Sequence, residues 1–178
     1  MKDCLVIYSS KSGFTEKYAN WIAEALECEA VRLRDLESTK MNKARTLVYG
    51  GRINAGWVLG LKKFLRRVDQ QKNQNVFVFG VGLSPSNSSD AERYHTANLN
   101  GSDKKIPWFY FQGGMDIDKL RGFEKLLIKI MIETSTKAQR KLALKAGKSV
   151  EEFGNPLKQD HCDREAIKPL VEAVKAVV

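Results

Sequence analysis

Residues 6–22, VIYSSKSGFTEKYANWI, join an apolar run to a short hydroxyl-rich loop and then to a helical pattern. The run over 4–8 is continuously apolar, as in a strand buried on both faces. The loop over 9–15 holds three serines, one glycine and one threonine. Beyond it, Ala19, Ile22, Ala23 and Leu26 fall at helical spacing. A strand end, a small polar loop and a helix N-terminus together make an anion site, because several backbone N–H groups and hydroxyls converge there. The plainer reading of the same residues is a serine-rich N-cap on an ordinary helix.

Spacing excludes two kinds of phosphate loop. A G-x-x-x-x-G-K-[ST] loop needs a second glycine followed by Lys-Ser or Lys-Thr, and this loop has one glycine. A dinucleotide fingerprint needs G-x-G-x-x-G after the first strand. The nearest imitation, Gly80-Val81-Gly82-Leu83-Ser84-Pro85, has proline where the third glycine belongs.

A third pattern fits position by position. It requires two apolar residues, an aromatic, a Ser or Thr, a small residue, a Thr, an Ala and an aliphatic. Val6, Ile7, Tyr8, Ser10, Gly13, Thr15, Ala19 and Ile22 fill those places, eight constrained positions in seventeen residues. On these residues the chain resembles the flavodoxin family, which binds FMN. The likeness is firm over 5–22 and extends to about 115. It implies that Ser10, Lys11, Ser12, Gly13, Phe14 and Thr15 surround the FMN phosphate. The chemistry suits a dianion: Ser10, Ser12 and Thr15 can each donate a hydroxyl hydrogen bond, and Gly13 lets the backbone approach. Each such bond to a charged group is worth roughly 1.5–3 kcal/mol. Lys11 either adds charge or points to solvent.

Apolar runs over 4–9, 31–33, 46–49, 75–82 and 106–111 alternate with helical patterns over 13–28, 57–69, 88–99, 117–146 and 163–177. Ser149 and Glu152 form a capping box before a further short turn or helix. This alternation predicts an α/β fold, a parallel sheet covered on both faces. The resemblance implies the flavodoxins' own doubly wound five-stranded order, 2-1-3-4-5, with FMN at the switch point between strands one and three. Loops 9–15, 50–57 and 82–94 then meet at one edge of the sheet.

The loop from Gly50 to Trp57 has glycines near both ends and can lie flat along a ring system. The resemblance assigns Gly51, Arg52, Ile53, Asn54 and Ala55 to the flavin ring, and Gly82 and Leu83 to its other edge. Arg52 is either a cation that favours the reduced anionic flavin or a solvated loop charge. Trp57 either stacks on the flavin or, the favoured reading, starts a helix and packs inward. Tyr94 is the only aromatic near the second ring-facing loop, and it sits inside a helical pattern. That departs from ordinary flavodoxins and leaves one ring face open to a substrate. His95 reads as a surface residue in preference to a proton donor.

The chain has 178 residues, 43% apolar and 29% charged, which predicts one soluble domain over 1–178. Its apolar runs fall short of the roughly 20 residues of a membrane span, and its first residues read as a strand in preference to a secretory signal. Cys4, Cys28 and Cys162 lack pairing or metal spacing, which predicts a reducing, cytoplasmic setting. Asp160-His161-Cys162-Asp163 reads as a polar turn with Asp163 capping the last helix, in preference to a metal site.

Charge separates a carrier from a catalyst. Electron-shuttling flavodoxins are typically acidic, whereas this chain carries a net charge of +9. Residues 119–148 hold nine Lys and Arg against two Glu. Arg121, Lys125 and Lys129 align on one helical face. Such a face is either plainly solvated or suited to an anionic membrane surface or an acidic substrate. Residues 107–132 resemble, weakly, the bacterial menaquinone-dependent protoporphyrinogen dehydrogenase branch of flavodoxin-like proteins. That likeness implies a quinone partner and a place at the inner face of a membrane. The expected function is thus an FMN-dependent oxidoreductase or electron-transfer protein. The alternatives are a quinone-linked dehydrogenase and a non-catalytic binding module of the same fold; a nucleic-acid partner is not expected.

Overall fold

The computed structural model describes residues 3–68, 74–86, 88–116, 118 and 158–177. In chain order they form β1 (Cys4–Ser9), α1 (Phe14–Ala25), β2 (Glu29–Arg32), α2 (Ser38–Lys43), β3 (Thr46–Asn54), β4 (Trp57–Val58), α3 (Leu61–Leu65), β5 (Asn75–Gly82), α4 (Asp90–Asn98), β6 (Trp108–Gln112), β7 (Gly114–Asp116), β8 (Lys158–Asp160) and α5 (Lys168–Lys175). Short 3-10 turns at Gly101–Lys105 and Glu165–Ile167 precede β6 and α5. The chain groups into two compact units, Met1–Gly113 with His161–Val178, and Gly114–Asp160.

The first unit holds a sheet in the order β2-β1-β3-β5-β6, with every neighbouring pair on that path parallel. Counted along the chain, those five strands run 2-1-3-4-5, as expected. Alternation along each strand sends successive side chains to opposite faces. Cys4, Val6 and Tyr8 therefore join one apolar cluster with Tyr18, Ile22, Phe79, Leu170 and Val174, under α1 and α5. Leu5 and Ile7 join the other with Met41, Leu47, Tyr49, Phe64 and Leu99. Aromatic pairs tie helices to strands on both sides: Tyr18 and Phe111 stack at 4.8 Å and 21°, Tyr49 and Phe64 at 4.6 Å and 17°. The Tyr18 hydroxyl donates to the Gln112 carbonyl at 2.7 Å and accepts from the Asp163 amide at 3.0 Å. It thereby links α1 to the segment that leads into α5.

Several elements differ from expectation. The helix expected over 57–69 begins only at Leu61. Trp57 and Val58 instead turn back as a strand against Asn54 and Ile53. The cause is local: Ala55 (φ 48) and Gly56 (φ 86) both take the left-handed conformation that a two-residue hairpin requires. β3 accordingly runs on to Asn54, past the expected end at Gly50-Gly51. The short helix α2 was not anticipated; it buries only Met41. The last helix starts at Lys168 after the 3-10 turn, so Asp163 does not cap it as expected; its carboxylate instead accepts from the Glu165 amide at 2.9 Å, at the start of that turn.

In the second unit, β7 and β8 pair antiparallel, with Met115 opposite Gln159. The helical expectation over 117–146, the Ser149 capping box and the Arg121, Lys125 and Lys129 stripe lie outside the described residues. Among the described residues no helix is long and apolar enough to cross a membrane.

Candidate functional site

Ser9 lies opposite Gly51, and Arg52 opposite Val81, so β1, β3 and β5 end side by side. Because the strands are parallel, the segments after them leave from the same edge. The three segments expected to meet, 9–15, 50–57 and 82–94, do emerge there. The start of α1 reaches the end of β6 as well. A Cβ on Gly113 would stand 2.7 Å from Val81 Cγ1 and 3.5 Å from Phe14 Cβ.

The first segment closes on itself. The Ser10 hydroxyl oxygen accepts from the Gly13 amide at 3.1 Å, which leaves the hydroxyl hydrogen to donate elsewhere. Gly13 takes φ 93, a left-handed conformation that a Cβ would strain. It stands at the N-cap of α1 and, as glycine, brings no side chain of its own to cap the first turn. Ser12 is half-buried and Lys11 exposed. Phe14 and Thr15 are buried, at 8% and 2% exposure, with Phe14 part of the core cluster. The six residues expected around one phosphate thus divide. Ser10, Ser12 and Gly13 are half-buried, Lys11 is exposed, and Phe14 and Thr15 are buried.

Glu16 lies in the first turn of α1, where a free carboxylate would oppose an anion. It is engaged. The Arg32 guanidinium donates to both its oxygens at 2.7 Å, and the Tyr8 hydroxyl donates to one at 2.8 Å. The Arg32 bond holds the Glu16 carboxyl below its usual range, while burial raises the Tyr8 phenol.

The second segment is a hairpin and not a flat loop. Gly51 is buried within β3, and a Cβ there would meet Val58 Cγ1 and stand 2.7 Å from the Leu59 carbonyl oxygen. Close packing accounts for this glycine. Arg52 and Ile53 are half-buried, with Ile53 against the second core cluster, while Asn54 and Ala55 are exposed at the tip. Trp57 does not pack inward as expected. It is 50% exposed, with the Lys62 ammonium 5.0 Å from its ring centroid.

A residue that sequence reasoning missed holds this hairpin. Asn98, in the last turn of α4, accepts from the Val58 amide at 2.7 Å. Its amide nitrogen donates to the Gly56 and Tyr94 carbonyls, both at 2.8 Å. The two bonds to Val58 and Gly56 clamp the turn to α4 across about forty residues of sequence, a separation at which no local pattern signals the pairing.

The third segment starts at Gly82, where a Cβ would stand 2.7 Å from the Tyr110 hydroxyl, and continues to Leu83, which is 51% exposed. Tyr110 donates to the Ser84 carbonyl at 2.7 Å, and burial pushes its phenol up to about 12. Ser84 donates to Asp90 at 2.5 Å, and Arg93 pairs with Asp90 at 2.7 Å. Tyr94 packs against Tyr110, with centroids 5.7 Å apart. His95 is half-buried, not a surface residue, and stacks on Trp108 at 6.0 Å and 10°.

Comparison with known proteins agrees with this architecture. No curated protein sequence matches the chain. Among solved structures, a flavodoxin from the domain Archaea is 17% identical, covering 62% of this chain and 84% of that one, with a TM-score of 0.41. The two-electron reduced flavodoxin of Megasphaera elsdenii is 18% identical, covering 60% and 82%, with a TM-score of 0.43. An NADH:FMN oxidoreductase is 15% identical, covering 61% and 74%, with a TM-score of 0.42. Similarity at this level carries no functional argument. The model of the flavodoxin domain, however, matches residues 5–142, well over half of the chain and beyond the reach of the first-strand pattern. The chain belongs to the flavodoxin-domain family.

Proposed function

We propose that the chain binds FMN at the carboxyl edge of its sheet and acts as an oxidoreductase or electron-transfer protein. FMN, when bound, supplies one- or two-electron chemistry between partner molecules. The observation that carries this reading is the Ser10–Gly13 turn at the α1 N-terminus, with a glycine at its N-cap position. Its donor set suits a phosphate dianion: the Ser10 and Ser12 hydroxyls and the first amides of α1, with Thr15 buried next to them. Glu16, the one carboxylate in that first turn, is engaged by Arg32 and Tyr8. On this reading the hairpin residues Gly51, Arg52, Ile53, Asn54 and Ala55 lie along the ring, with Gly82 and Leu83 at its other side. Their task is to orient the ring and shield it from water.

Reconstitution with FMN tests the proposal. The holoprotein is expected to be yellow, and the double variant Ser12→Ala/Thr15→Ala to bind FMN more weakly by about 2 kcal/mol or more. An unchanged affinity in a variant with an unaltered circular dichroism spectrum would overturn the assignment. A folded chain that stays colourless would favour the non-catalytic module.

A further inference from the structure

Cys4, the first residue of β1, and Cys28, the residue just before β2, lie at the edge opposite the candidate flavin site. β1 and β2 pair in parallel with Leu5 opposite Glu29 and Val6 opposite Ala30. One step earlier, the same register sets Cys4 opposite Cys28. Both residues belong to the same face: Cys4, Val6 and Tyr8 join the cluster under α1, and Cys28 and Ala30 pack against it. Directly opposed residues on paired strands stand about 4.7–4.9 Å apart, within the roughly 4.4–6.8 Å Cα span of a disulfide.

The turn after α1 fixes Cys28 in that place. Its amide donates to the Ala23 carbonyl at 2.9 Å, and the Glu27 amide donates to the Glu24 carbonyl at 3.1 Å. These are the paired bonds of a Schellman motif. Its left-handed position is filled by Glu27 (φ 50) where glycine is the usual occupant. The two thiols are free and differ in access: Cys4 is buried at 5% exposure, Cys28 half-buried. The Cys28 side chain, together with burial, raises the Cys4 thiol, and the Cys4 side chain lowers that of Cys28. An accessible, more acidic sulfur beside a buried partner is the arrangement of attacking and resolving thiols.

We infer that Cys4 and Cys28 are a redox-active dithiol that a peroxide converts to a disulfide, Cys28 attacking first and Cys4 resolving. Cys28, having given its proton to solvent, attacks one peroxide oxygen. The O–O bond breaks, hydroxide leaves and takes up a proton as water, and Cys28 becomes a sulfenic acid. The Cys4 sulfur then attacks the Cys28 sulfur. The S–O bond breaks, and the departing hydroxide leaves as water with the Cys4 proton. Two thiols are oxidised and one peroxide is reduced to two waters.

The test uses the full chain, reduced, exposed to one equivalent of hydrogen peroxide, then denatured and alkylated. The expected product has lost two of its three alkylation sites, retains Cys162 as the third, and yields a reducible cross-linked peptide pair containing Cys4 and Cys28. Cys4→Ser is expected to accumulate a dimedone-trapped sulfenic acid at Cys28. In Cys28→Ser, Cys4 should stay unmodified at the same dose. Three alkylatable thiols after exposure would overturn the inference, as would a bridge to Cys162, first oxidation at Cys4, or oxidation of Cys28 beyond the sulfenic acid without a bridge. The same result is expected with and without bound flavin, so the dithiol and the flavin reading stand or fall separately.

Discussion

Glu16 shows how one residue can serve both fold and site. Its carboxylate sits beside the α1 N-terminus, yet Arg32 and Tyr8 hold it within the β1–β2–α1 layer. The Arg32 bond lowers its pKa. A carboxyl whose folded pKa is depressed adds stability above its unfolded value, near 4.3, and loses it as pH falls through the folded value. Glu16→Gln is therefore expected to lower the melting temperature at pH 7 and to match the wild type once pH falls below that range. Melting curves across pH 3–7 check this, and a constant gap down to the lowest pH would contradict it. Gly50 makes a different point. The sequence suggested that glycines near 50–51 free a loop for the ring. The structure instead places the Phe79 ring where a Gly50 Cβ would go. Gly50→Ala should cost about 1–3 kcal/mol in urea denaturation, as overpacking does. That reason could not be read from the sequence, because Phe79 approaches from another strand.

Among the elements, β1 and β5 were legible to the residue, at Cys4–Ser9 and Asn75–Gly82. Their continuous apolar runs, bounded by polar or glycine residues, leave one reading. The stretch over 57–69 misled, because its apolar residues fit a helical period while its first two residues are claimed by the Ala55–Gly56 turn. The turn in turn depends on Asn98. Asn98→Ala would strip the Val58 amide and the Gly56 carbonyl of their partner, a cost of about 1–3 kcal/mol for such half-buried groups. Hydrogen exchange should report faster exchange at Val58 with β1 and β5 unchanged. Unchanged protection at Val58 would show that the clamp does not hold the hairpin. Because the hairpin lies beside the candidate ring site, the same variant is expected to weaken FMN binding without touching the phosphate turn.

For the whole molecule, the order of the five parallel strands followed from alternation and resemblance, and it brings the expected three segments to one edge. What the sequence did not reveal are the pairings made at long range: the Asn98 clamp, the Glu16–Arg32–Tyr8 cluster, and Cys4 against Cys28. Each joins residues whose separation carries no period: packing of α4 and α1 brings Asn98 and Glu16 to their partners, and the β1–β2 register sets Cys4 against Cys28. The functional proposal rests on the turn after β1 holding a phosphate dianion. Calorimetry of FMN against riboflavin isolates that phosphate, because the two ligands share the ring. If two or more charge-assisted hydrogen bonds at roughly 1.5–3 kcal/mol each are made there, FMN should bind at least about a hundredfold more tightly than riboflavin. Equal affinity for the two, or binding of neither by the folded chain, would contradict the assignment.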